Sequence, residues 1–232
     1  MGQLVWFIPS GLLAVLLGLM LRNRAYKVCP CFFAYVAFGV AADAARFVAL
    51  RNAHSYIATY WITEAGYCLL GVAAMYEAFG AVLRSLAGAW WSRPIFPAVL
   101  VAGIGLSLAR AHASPPQFSG IPYYIVVAEI AVRWVQVFSL TLTLTLMPLL
   151  GFPGHRYAIG VASGFGVYST IALLMTMKFS DIGARFALSF SVTLVAAYSV
   201  AVLVWIWCFY GPQEDEAPSH EEQAPLALGS PA

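Results

Sequence analysis

Seven apolar stretches follow one another along this chain, at residues 4–21, 30–50, 55–83, about 90–108, 122–150, 157–177 and 183–210. A helix needs roughly 20 apolar residues to cross a bilayer. In hydrocarbon every backbone N–H and C=O must be satisfied by the chain itself, which leaves helices or closed barrels. These runs are too long and too uniformly apolar for barrel strands of about 9–11 residues. The expected fold is therefore all-α: a polytopic integral membrane protein built as a seven-transmembrane-helix bundle over residues 1–210. Composition agrees, with 62% hydrophobic and 9% charged residues against about 25% charged in an ordinary soluble domain.

The formal charge of +2 hides an uneven distribution. Residues 211–232 hold Glu214, Asp215, Glu216, Glu221 and Glu222 and no Lys or Arg, so the remainder has twelve basic against five acidic groups, or +7. This tail, rich in Pro and Ala, is read as a disordered acidic C-terminal segment. The basic excess belongs to loops at a lipid surface. Nucleic acid is not an expected partner, because no Lys/Arg cluster with interleaved aromatics is present.

Arg22, Arg24 and Lys27 follow the first span, and no basic residue precedes it. By the positive-inside rule the N-terminus lies outside and the tail in the cytoplasm. The expected location is the inner (plasma) membrane, multi-pass. The remaining loops give a cytoplasmic set of Arg84, Arg93 and Arg156 and an outer set of Arg51, Arg110, Lys178 and Arg185. Trp90, Trp91, Tyr123, Tyr124, Trp205 and Trp207 fall near span ends, where amphipathic rings anchor at the interface.

Within the spans, ionisable residues gather at one depth. Counting about 1.5 Å of rise per residue from the outer ends puts Asp43 and Glu64 roughly 10 and 13 Å deep, and Glu129 and Arg133 roughly 10 and 16 Å deep. Arg46 is shallower. Asp43 and Arg46 are three residues apart and Glu129 and Arg133 four apart, so each pair shares a helix face. Gln136 continues the second face. Tyr60, Glu64, Tyr67 and Gly71 form a stripe on the third span, and Tyr168 on the sixth falls at a similar height. Charged groups at such depth cost about 2.5–3.5 kcal/mol each and mark function by default.

Three carboxylates against two guanidiniums leave one negative charge over, so one acid holds a proton or a cation joins them. Two readings stay open. One is a polar pocket near the outer face; the other is a pair of ion bridges that fix helix packing, with Glu64 protonated or hydrogen-bonded to tyrosine. Glu77 sits near the cytoplasmic interface, where Arg22, Arg24 or Lys27 could neutralise it. Gly160, Gly164 and Gly166 read as a small-residue packing face. The alternating threonines Thr141, Thr143 and Thr145 are expected to bond back to the preceding turn rather than mark a strand.

Several chemistries are argued against. A retinal Schiff base needs a lysine within the last span, and Lys178 is in a loop. Membrane haem or a three-histidine zinc site needs intramembrane histidines, whereas His54, His112, His155 and His220 lie in loops, at a span edge or in the tail. An intramembrane serine protease would also need such a His. Cys29, Cys31, Cys68 and Cys208 read as reduced packing residues, since no second pair or nearby His completes a zinc set around Cys29 and Cys31.

The order of Phe32-Phe33-Ala34-Tyr35 with Asp43 to Arg46, Tyr60-Trp61-Ile62-Thr63-Glu64, Tyr76-Glu77, the Glu129/Arg133 pair, and Gly160 to Tyr168 resembles a set of uncharacterised bacterial seven-transmembrane proteins. The resemblance implies the seven-helix topology and that these polar positions belong together. It implies no activity. The expected function is a non-enzymatic membrane sensor or ligand-binding protein without metal or other cofactor, its partners being the bilayer, a small polar or cationic ligand and a membrane or cytoplasmic protein. Asp43, Arg46, Tyr60, Glu64, Tyr67, Glu129, Arg133, Gln136 and Tyr168 are its candidate ligand-binding residues. A proton-coupled secondary transporter, with Glu64 or Glu129 taking up the proton, and a structural subunit of a membrane assembly are the alternatives.

Overall fold

The computed structural model describes residues 2–83, 94–113, 120–150, 156–182 and 187–210. They form seven α-helices, α1 (Gly2–Arg22), α2 (Pro30–Ala49), α3 (Ala53–Leu83), α4 (Ile95–Ala113), α5 (Ile121–Leu150), α6 (Arg156–Ile182) and α7 (Ala187–Tyr210), with one 3-10 turn, Ala25–Lys27, between α1 and α2. No strand occurs among the described residues. Helices α2 to α7 are each long and apolar enough to cross a membrane, and α1 adds the shorter apolar stretch Phe7–Arg22. The chain is a multi-pass helical membrane protein. The tail from 211 on, together with Trp90 and Trp91, lies outside the described residues.

Local chemistry sets the helix starts. Pro30 occupies the first turn of α2, where its missing N–H costs nothing. Asn52 caps α3, its Oδ1 accepting from the backbone N–H of His54 at 3.0 Å and Ser55 at 3.5 Å. Gly120 stands just before α5 at φ 71°, a conformation that a side chain disfavours. Helix α4 starts later and ends later than the apolar run 90–108, since Arg110 and His112 are carried on its last turn.

Substantial packing joins α7, α1, α2 and α3 in succession; α3 then meets α5 and α6, and α6 returns to α7. Helix α4 packs principally on α5. At one end, the Asn23 side-chain amide donates to the carbonyl of Phe209 at 2.6 Å, tying the finish of α1 to that of α7.

The core is aromatic. Trp205 of α7 meets Phe32 of α2 at 5.1 Å and Phe165 of α6 at 4.9 Å between ring centroids. Tyr35 meets Phe165 at 4.9 Å. Trp205 is fully buried, which corrects its assignment to the interface; a ring this large gains more from a packed apolar site than from a half-wet one. Trp207, two residues on, is 69% exposed and points at lipid. The α6 glycines allow this packing: a Cβ at Gly164 would run into the Trp205 indole, one at Gly160 into Cys208, and one at Gly166 into Leu140. The threonines of α5 bond back as expected, Thr141 to Val137, Thr143 to Ser139 and Thr145 to Thr141 carbonyls.

Candidate functional site

Helix α2 carries Asp43 and Arg46, and α3 runs antiparallel to it with Tyr60, Thr63, Glu64 and Tyr67 on the facing side. The Arg46 guanidinium reaches across. Its Nη2 meets Glu64 Oε1 at 2.9 Å, and its Nε and Nη2 donate to Thr63 Oγ1 at 2.8 and 2.5 Å. The Thr63 hydroxyl proton is committed to the carbonyls of Thr59 and Tyr60 at 2.8 and 2.9 Å, which leaves the oxygen free to accept from Arg46. The guanidinium carbon also lies 4.9 Å from the Tyr60 ring centre and 5.6 Å from that of Tyr67, within the range of a cation–π contact.

The pairing of Arg46 with Asp43 suggested by their shared face does not form. Asp43 instead accepts a 2.5 Å hydrogen bond from the Ser10 hydroxyl of α1. Glu64 outcompetes it because the bidentate-capable guanidinium gains three acceptor contacts and two aromatic faces by turning towards α3. Of Asp43, Glu64 and Glu129, Asp43 is the one that makes no ion pair among the described residues.

On α5 the expected pair does form: Arg133 Nη2 bonds Glu129 Oε1 one turn earlier. The Arg133 guanidinium lies 5.5 Å from the Tyr168 ring centre on α6, and its buried Nη1 has no hydrogen-bond partner. Gln136 follows on the same face, its Oε1 accepting from the Ser169 hydroxyl of α6. Gly71 of α3 gives Gln136 room, since a Cβ there would stand 3.4 Å from Nε2. Tyr168 meets Tyr198 of α7 at 5.3 Å.

The two halves converge. The helices that carry the two pairs pack on one another, α2 on α3 and α3 on α5 and α6, which sets Arg46, Glu64, Glu129, Arg133, Gln136 and the tyrosines in one polar layer, while Asp43 turns aside to Ser10 of α1. The side chains retain 20% and 17% exposure at Arg46 and Glu64, and 13% and 29% at Arg133 and Glu129. The layer is recessed but not sealed. Among the described residues no three His, Cys, Asp or Glu side chains gather as metal ligands.

Glu77 has a different role from the one its position suggested. No ion pair joins it to Arg22, Arg24 or Lys27 among the described residues. Its carboxylate accepts from the backbone N–H groups of Cys31 at 3.2 Å and Phe32 at 3.0 Å. These are orphan donors of the first turn of α2, whose own N-cap residue, Cys29, makes no side-chain cap. Cys29 donates its thiol to the Ala25 carbonyl at 3.2 Å. Burial, reinforced by the Glu77 charge, pushes that thiol up to about 12, so it stays protonated and unreactive at neutral pH.

No family model, curated protein or solved structure matches the chain.

Proposed function

We propose that this is a ligand-binding membrane protein, acting as a sensor for a small polar or cationic solute recognised at the α2–α3–α5–α6 polar layer. The observation that carries the reading is that two packed helices, α3 and α5, each carry a recessed carboxylate, Glu64 and Glu129, held by an arginine beside a tyrosine face. An ammonium-type cation that shares these carboxylates and tyrosine faces with Arg46 and Arg133 would gain charge pairing and cation–π contact together. The protein sits in the inner membrane with its N-terminus and this layer towards the outside. It is non-enzymatic and passes its signal to a partner protein at the cytoplasmic loops or tail.

A second reading, proton-coupled transport, is favoured by Asp43. Its one side-chain hydrogen bond comes from the neutral Ser10 hydroxyl, and an ionisable group at membrane depth without a bonded counter-ion is a functional pointer.

The test is thermal stability of the purified protein in lipid nanodiscs against a panel of organic cations and neutral polar metabolites. One cation should raise the melting temperature of the native protein, and Glu64→Gln and Glu129→Gln should each abolish the shift. A panel that shifts neither the native protein nor the variants would remove the sensor reading and leave the charges as packing devices. Uptake of the same cation into proteoliposomes, lost in Asp43→Asn, would decide for transport.

A further inference from the structure

Helices α2 and α3 part at their elbow around an open groove of about 590 Å³, lined by Ala44, Ala45, Val48 and Ala49 on one wall and Ser55 and Thr59 on the other, with Arg51 and Asn52 at its head. It is a shallow depression on the outside of the bundle, open along one side, rather than an enclosed cavity. None of the polar-layer residues lines it. The small side chains of α2 create the hollow, because alanine at three of four positions leaves the wall unfilled. Val48, Leu50 and Ile57 around it are 71%, 61% and 57% exposed, so the groove opens to lipid.

The chemistry of the groove is graded. Its floor is apolar, while its head lies at the ends of two spans, at the depth of lipid headgroups. Arg51 is exposed there and makes no ion pair or hydrogen bond with another described residue. It is the single charged residue of the lining. The start of α3 adds the positive end of a helix dipole beside it, and the Ser55 and Thr59 hydroxyls descend the facing wall one turn apart. No carboxylate lines the groove to receive the ammonium of a zwitterionic headgroup.

We infer that the α2–α3 elbow groove is a binding site for an anionic phospholipid, with the phosphate on Arg51 and an acyl chain along the alanine wall. The lipid bridges the elbow to α3 a turn or so above the Arg46–Glu64 pair. Its occupancy holds the two helices that carry that pair together. The inference stands independently of the ligand proposed for the polar layer.

The experiment is native mass spectrometry and thermal stability of the full chain in detergent, titrated with dioleoyl phosphatidylglycerol, dioleoyl phosphatidylcholine or inorganic phosphate. Phosphatidylglycerol should bind and stabilise, and Arg51→Gln should weaken that binding about five-fold, the factor for one arginine at an anionic lipid surface. Ala45→Phe, an exposed position where the new ring fills the groove, should abolish it. Arg110→Gln at the end of α4 should leave it unchanged. Equal stabilisation by phosphatidylcholine or by inorganic phosphate would overturn the inference, as would equal loss in Arg110→Gln, which would make the effect general surface charge.

Discussion

Arg46 concentrates more of the polar layer's energy than any acid in it. It holds Glu64 and Thr63 by hydrogen bonds and covers two tyrosine rings, so its removal leaves a recessed carboxylate without its hydrogen-bonded cation. Hydrogen bonds to charged groups contribute about 1.5–3 kcal/mol each. Arg46→Met should therefore destabilise the protein by at least about 1.5 kcal/mol in reversible unfolding by SDS titration. Asp43→Asn should fall within about 0.5 kcal/mol of the native protein, because its one side-chain hydrogen bond, from Ser10, can be kept by the amide oxygen. Equal costs would mean that Arg46 serves Asp43 as much as Glu64. The asymmetry was not legible in the sequence. A shared face fixes which residues can meet along one helix, as it did for Glu129 and Arg133, but Arg46 had to choose between its own helix and the next. That choice depends on how α2 and α3 are rotated against each other, and spacing within one helix carries no record of it.

At the scale of elements, α2 shows how one helix borrows its cap from another. Pro30 removes one orphan donor at its start, and Cys29 offers no acceptor, so Cys31 and Phe32 would present unsatisfied N–H groups in an apolar setting. Glu77 supplies both acceptors from α3. Losing a cap costs about 0.5–2 kcal/mol. Glu77→Leu should destabilise by that amount and raise amide exchange at Cys31 and Phe32 first; an unchanged exchange pattern there would show that solvent or another group already caps α2. Spans and back-bonding threonines could be read from the sequence because both are properties of a single helix. The Glu77 cap could not, since a carboxylate near an interface with three basic residues in the adjacent loop looks like an ion pair until the antiparallel partner places backbone donors closer. Trp205 misled for the same reason: a tryptophan near a span end belongs to the interface unless a neighbour such as α6 offers glycines for it to pack against.

At the scale of the whole molecule, the helices are not equally bound. Six of them close on each other around the aromatic core, while α4 packs principally on α5. Two close contacts secure it there. Gly103 lets α4 approach so nearly that a Cβ would stand 2.9 Å from a Val135 methyl and 3.0 Å from the Ala131 carbonyl oxygen, and the buried Ser107 hydroxyl donates to the Val127 carbonyl at 2.5 Å. Overpacking at such a contact costs about 1–3 kcal/mol, and the rigid partners, a β-branched side chain and a helix backbone, give little. Gly103→Ala should therefore loosen α4 alone, raising amide exchange across Ile95–Ala113 in nanodiscs while α6 and α7 keep their protection. Gly164→Ala is the counterpart at the centre. Its methyl enters the space of the Trp205 indole, so it should lower protection in α2, α6 and α7 together and reduce the melting temperature of the whole protein. Should Gly103→Ala instead lower protection around Trp205 as much as in α4, the seven helices unfold as one cooperative unit and α4 is no satellite. Should α4 alone respond, the polar layer is carried by a bundle that persists when α4 is loosened, and α4 is the element freest to move against it.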